Sequence, residues 1–193
     1  MRKRLTALSL LAFMVIATTG CGIVTVVPIG QEASFTGQST FDASAEAADS
    51  WDLVVEEITG NAKDLGETVG SMASGTTYAV TFTGTINEHN TDTPKGYLDV
   101  SVDGVSQAVH VQVGKVYSGT TVRDAQTVRA FKDFSNQTEW SEYAKTLNTN
   151  VNDNVVANID LDGSVGKTAT FVGTFAADSS DTIIVTPVAI TVE

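Results

Sequence analysis

Positive charge is scarce in this 193-residue chain: 11 Lys and Arg stand against 23 Asp and Glu, a formal charge of −12. Nucleic acids and anionic membrane surfaces are held by cations that neutralise phosphates, so neither is an expected partner of the folded surface. Cysteine is nearly absent. The single residue, Cys21, permits no intramolecular disulfide and no multi-cysteine zinc site. Histidine is limited to His89 and His110, without His-x-x-x-His or Cys-x-x-Cys spacing, so no metal ligand set and no cofactor are expected. Gly-x-Ser-x-Gly elbows and phosphate-cradling glycine loops are missing, which weighs against an envelope hydrolase and a nucleotide enzyme. No apolar run is long enough to span a bilayer, which takes about 20 residues. What is present, 42% hydrophobic and 7% aromatic residues, suffices for one hydrophobic core.

The N-terminus reads as an export signal over 1–20 rather than as structure. Arg2, Lys3 and Arg4 precede an uncharged, mostly apolar run of 13 residues from Leu5 to Ala17. Thr18-Thr19-Gly20-Cys21 then looks like a bacterial lipobox, with Thr18 where leucine is usual. The resemblance implies lipidation of Cys21 and cleavage before it. Removing residues 1–20 takes away three basic residues and no acidic ones, so the mature charge becomes −15. Residues 21–40 carry Pro28, Gly30 and Gly37 without a sustained period and read as a tether, although Val24, Val26 and Val27 are also compatible with a first strand.

One domain is expected over 41–193. Asp42 as N-cap and Ala47, Trp51, Val54, Val55 and Ile58 at helical spacing predict a helix over 42–59. A weaker helix is expected over 61–73, with Gly66 and Gly70 against it. Period-two alternation then predicts strands at Tyr78–Ile86, Leu98–Val102 and Val109–Val113. The first two are separated by a polar loop over Asn87–Gly96 that contains His89 and Pro94, and Val116 and Val122 are candidates to extend the sheet. A long helix follows with Trp140, Tyr143, Ala144, Leu147, Val151 and Val155 on one face, and two strands close the chain at Thr168–Phe175 and Thr182–Val192. Strand, strand, strand, helix, strand, strand is the order of an OB-like five-stranded barrel over 77–193 with its helix between strands 3 and 4, a mainly β, α+β fold. An open α+β sandwich is the competing architecture.

Val111-Gln112-Val113-Gly114, Ser118-Gly119-Thr120-Thr121-Val122-Arg123-Asp124-Ala125, Phe131-Lys132-Asp133-Phe134-Ser135-Asn136-Gln137-Thr138-Glu139-Trp140 and Ile184-Val185-Thr186-Pro187-Val188 together resemble the predicted periplasmic lipoproteins, a family defined by a domain of unknown function. Tyr117 and Trp140 depart from the usual pattern. The resemblance implies an exported lipoprotein anchored to the membrane at Cys21. It also implies a link to sugar uptake, because some members are encoded near sugar transporters, and it implies no activity.

The constellation richest in chemistry is Arg123, Asp124, Asp133, Asn136, Gln137 and Glu139. Arginine presents a planar fork suited to carboxylate or phosphate, and the amides suit sugar hydroxyls, so a ligand or partner site is one reading. The structural reading, which carries more weight, pairs Arg123 with Asp124 and makes Asn136 a helix cap. Asn158-x-Asp160-x-Asp162-Gly163 imitates the start of a calcium loop, but Ala169 stands where a bidentate glutamate is required. The expected function is therefore a non-enzymatic envelope lipoprotein serving as an accessory or binding module, with carbohydrate or a transporter component as partner. A structural assembly role without a small ligand is the alternative.

Overall fold

A computed structural model describes residues 41–178 and 180–193. The expected signal segment 1–20, the expected tether 21–40 and Cys21, the expected lipid-attachment residue, lie outside the described residues. Residues 42–193 form one compact unit.

Helix α1 spans Ala43–Asn61, with the Asp42 carboxylate accepting from the Ser44 and Ala45 amides as the sequence predicts. Its Ala47, Ser50, Trp51, Val54 and Ile58 stripe is buried. The expected second helix is cut short. Lys63–Asp64 (β1) is drawn into parallel pairing with Val80–Thr81, and α2 covers only Leu65–Val69, ending at Gly70.

The barrel is built from β2 (Thr77–Asn90), β3 (Tyr97–Ser101), β4 (Ala108–Gln112), β5 (Thr168–Ala176) and β6 (Thr182–Val192). The order β2-β3-β4-β6-β5 closes through β2–β5 pairing, and the β4–β6 contact is the parallel seam. Closure removes the free edges that an open sheet would present, which settles the choice against a sandwich. The 14-residue β2 makes closure possible by pairing with β5 over Thr77–Thr85 and with β3 over Thr85–Asn90. Gly84 stands at the handover. A Cβ there would lie 2.5 Å from the Ser101 carbonyl oxygen, so only glycine lets the strands approach.

Val80, Phe82, Ile86, Leu98, Val100, Val109, Val111, Phe171 and Val185 fill the barrel. Phe82 and Phe171 are register partners whose rings stack with centroids 5.1 Å apart. Helix α4 (Gln137–Asn154), which follows the short α3 (Thr121–Asp124), packs against α1 through Tyr143, Ala144, Leu147 and Val151. The buried Ser50 and Tyr143 hydroxyls hydrogen-bond at 2.9 Å across that contact.

Two further expectations change. Residues 87–90 are strand rather than loop, because β3 supplies ladder partners past a bulge between Ile86 and Glu88. Val116 and Val122 do not extend the sheet: Val116 is exposed in a loop, and Val122 is buried on α3. The sheet ends where Gly114 passes against the Lys95 backbone, so close that a Cβ would meet the Lys95 carbonyl carbon at 2.3 Å.

Candidate functional site

On β3 and β4 the aliphatic residues point into the barrel, so Tyr97, Asp99, His110 and Gln112 lie on its outer face. The register pairs Asp99 with His110 and Tyr97 with Gln112, which sets Tyr97 and His110 on a diagonal. Their rings stack with centroids 3.9 Å apart and planes 16° from parallel. The Asn87 amide donates to Asp99 Oδ2 at 3.2 Å and to Ser101 at 2.8 Å. On β6, Ile184 is the register partner of His110 and is 46% exposed. Tyr97, His110, Gln112 and Ile184, with Thr93, Lys95 and Ser118 around them, line a cavity of about 220 Å³.

The loops beside this face are tied down. The Val113 and Gly114 amides both donate to the Gly96 carbonyl, at 3.1 and 3.0 Å, and the Val116 amide donates to Pro94 at 3.0 Å. Gln112 is buried although it faces outward. Its amide donates to the Thr186 hydroxyl at 2.8 Å, and its carbonyl accepts from the Ser118 amide at 2.6 Å. Thr186 continues into a buried hydroxyl cluster with Thr121 and Thr174. The floor of the cavity is therefore satisfied internally, and Lys95 and the ring platform remain for a ligand.

A flat ring surface beside an exposed aliphatic residue suits the C–H face of a sugar ring, and the surrounding ammonium and hydroxyl groups of Lys95, Thr93 and Ser118 suit its hydroxyl edge. Ser118 lines the same cavity, but it makes no hydrogen bond to His110 among the described residues, and His110 Nε2 lies 3.9 Å from Asp99. The nucleophile–base–orienter chain of a hydrolase is not assembled in this geometry.

The residues singled out in the sequence fall elsewhere, around the start of α4. Arg123 donates to Asp124 at 2.7 Å through Nε and lies 4.6 Å over the Trp140 ring. Thr120 donates to the other Asp124 oxygen at 2.6 Å. Asn136 is the N-cap of α4, accepting from the Glu139 amide at 3.0 Å, while Glu139 reaches back to the Ser135 amide at 2.8 Å. Asp133 accepts from the Ala130 amide at 2.9 Å. Gln137 begins α4 on the exposed surface. Arg123 and Asp124 thus form one group, Asn136 and Glu139 another, and Asp133 closes its own turn.

The two histidines do not converge. His89, expected in a loop facing solvent, lies on β2 with Nδ1 2.7 Å from Asp162 Oδ1, and its side chain is largely covered. That contact takes Asp162 out of the calcium-like stretch, whose Asp160 instead accepts from the Gly163 amide at 3.0 Å.

Sequence reasoning missed the Tyr97–His110 platform. Opposite parity of alternation in the two strands was the available signal, since it puts both rings outside.

The fold is similar to that of an OB-fold protein from Thermotoga maritima solved by crystallography, with a TM-score of 0.65 at 17% identity, covering 80% of this chain and all of that one. No curated protein matches the sequence. A family model described as predicted periplasmic lipoprotein (DUF2291) matches residues 54–191.

Proposed function

This chain belongs to the predicted periplasmic lipoproteins of the DUF2291 family, and from that premise we propose that it is a non-enzymatic binding module whose outer barrel face takes a saccharide, as an accessory to sugar uptake. Membership makes it a lipid-anchored protein of the bacterial envelope. The saccharide reading is carried by the Tyr97–His110 stack, set beside exposed Ile184 and within a ring of polar side chains. In OB folds generally, the corresponding strand face and its flanking loops bind oligonucleotides or oligosaccharides. An excess of acidic residues disfavours the oligonucleotide.

The test is a thermal-shift and calorimetric screen of the full-length lipoprotein in detergent against monosaccharides and short oligosaccharides. Binding by at least one saccharide, lost in Tyr97→Ala, is the expected result. Flat responses across the panel would defeat the reading.

An assembly role without a small ligand has one observation in its favour. Phe131 is 50% exposed at the edge of the Phe134–Trp140–Tyr143 ring cluster, where a partner protein has apolar area to cover. Co-purification of a transporter subunit that depends on Phe131 would select this reading.

A further inference from the structure

The ring-platform cavity is the first of three that are linked by shared lining residues. It shares Thr93 with a neighbouring one of about 510 Å³ that extends to His89, Asp92 and Leu161. That cavity shares Lys115 with a third, of about 150 Å³, on the flank of α4. The third is lined by Lys115, Tyr117, Lys145, Asn148, Thr149 and Asn152 and contains no acidic side chain. In a chain with 23 acidic residues against 11 basic ones, two lysines meeting without a carboxylate is a local reversal of sign. Neither lysine is ion-paired among the described residues.

The surroundings of these lysines are ordered. Lys145, Asn148, Thr149 and Asn152 follow i, i+3, i+4, i+7 spacing and share one face of α4, about 10 Å long at 1.5 Å per residue. Tyr117 donates to Asn152 Oδ1 at 2.9 Å, and Asn148 donates to the Gly119 carbonyl at 3.1 Å. Burial pushes the Tyr117 phenol above its ordinary range, so it remains a neutral donor and adds no negative charge. Lys115 itself rides on the loop that is bonded to Gly96 and Pro94.

The linings differ in charge from one cavity to the next. The platform cavity holds Lys95 alone, the middle one Asp92 against Lys115, and the third Lys115 with Lys145 and no carboxylate, so an anionic group is attracted most strongly at the third. We propose that these cavities together select an acidic saccharide, with a sugar ring on the open face of the Tyr97–His110 stack and a carboxylate or phosphate held by Lys115 and Lys145. This deepens the saccharide reading and rests on it.

Isothermal titration of the full-length lipoprotein in detergent tests it, with trigalacturonate against galactotriose and 6-phosphomaltotriose against maltotriose. At least one acidic ligand is expected to bind about tenfold more tightly than its neutral counterpart at low salt, with the advantage shrinking at high salt. The first pair reads carboxylate and the second phosphate. The double change Lys115→Gln and Lys145→Gln is expected to erase the advantage while neutral binding stays, and Tyr97→Ala to abolish binding of both. Equal binding of neutral and acidic ligands, or an advantage that survives the double change, overturns acidic selection and leaves the saccharide reading standing. No binding by any of the four compounds overturns both.

Discussion

Tyr97 and His110 are 13 residues apart in sequence, on opposite sides of a turn, yet their rings lie 3.9 Å apart because antiparallel register places them on a diagonal. The stack is worth about 1 kcal/mol beyond the area it buries. Tyr97→Ala removes the buried ring area as well and is therefore expected to lower the unfolding free energy by more than that while abolishing saccharide binding. His110→Phe, which keeps a ring, is expected to preserve most of both. Chemical denaturation and calorimetry on the same samples separate the two effects.

Glu57 of α1 pins a distant segment. Its carboxylate accepts from the Thr127 amide at 3.0 and 2.9 Å, from the Thr127 hydroxyl at 2.8 Å and from the Val128 amide at 3.1 Å. The nearby Arg129–Glu46 ion pair ties the same segment to α1. Glu57→Ala leaves several donors without this acceptor and is expected to cost about 1–3 kcal/mol. Hydrogen exchange at Thr127 and Val128 is expected to accelerate, while exchange in the barrel strands follows only the global loss.

Phe171 is fully buried, and its ring stacks on Phe82 inside the barrel. Phe171→Ala is expected to destabilise by about 3–5 kcal/mol, read from denaturation midpoints at unchanged slope.

Alkaline stability follows from the phenols. Burial raises Tyr117 and Tyr143 above the ordinary value of 10.0, with the Ser50 hydrogen bond partly opposing the shift at Tyr143. Above pH 10 the unfolded chain loses these protons and the folded chain keeps them, so the unfolded state binds fewer protons and stability falls as pH rises. The contribution is fully present below pH 10 and is lost as pH climbs through the raised values. Tyr117→Phe is expected to flatten this decline, measured as melting temperature against pH with absorbance titration of the phenolates.

Lipid attachment has a direct readout. Cys21→Ala is expected to move the protein from the membrane pellet to the soluble fraction, since stable anchoring needs acyl chains. Retention in the pellet would count against the anchor at this residue.

Local signals made much of the architecture legible. Alternation in Tyr78–Ile86 and Val109–Val113, the Asp42 cap and the apolar stripe of α4 each rest on neighbours within a few residues, and the element order then pointed to the barrel. Asn136 and the Arg123–Asp124 pair were legible for the same reason, as a cap and adjacent opposite charges. Long-range features were not. The polar stretch around His89 becomes strand because β3 supplies partners, and Gln112 is buried because a later loop folds over it. Nothing near Glu57 announces Thr127, 70 residues on.

The parallel seam has a consequence for how an exported chain reaches its final form. Strand β4 waits for β6, whose Thr182 pairs with Ala108 across more than 70 residues, and β6 also covers β5. Contacts at such separation form slowly, because a long loop must be ordered before they repay it. A chain emerging amino end first therefore carries two uncovered strand edges until its final strand arrives. During that interval its edges are open to pairing with other chains, so loss of the last strand is expected to lead to aggregation rather than to a smaller folded domain.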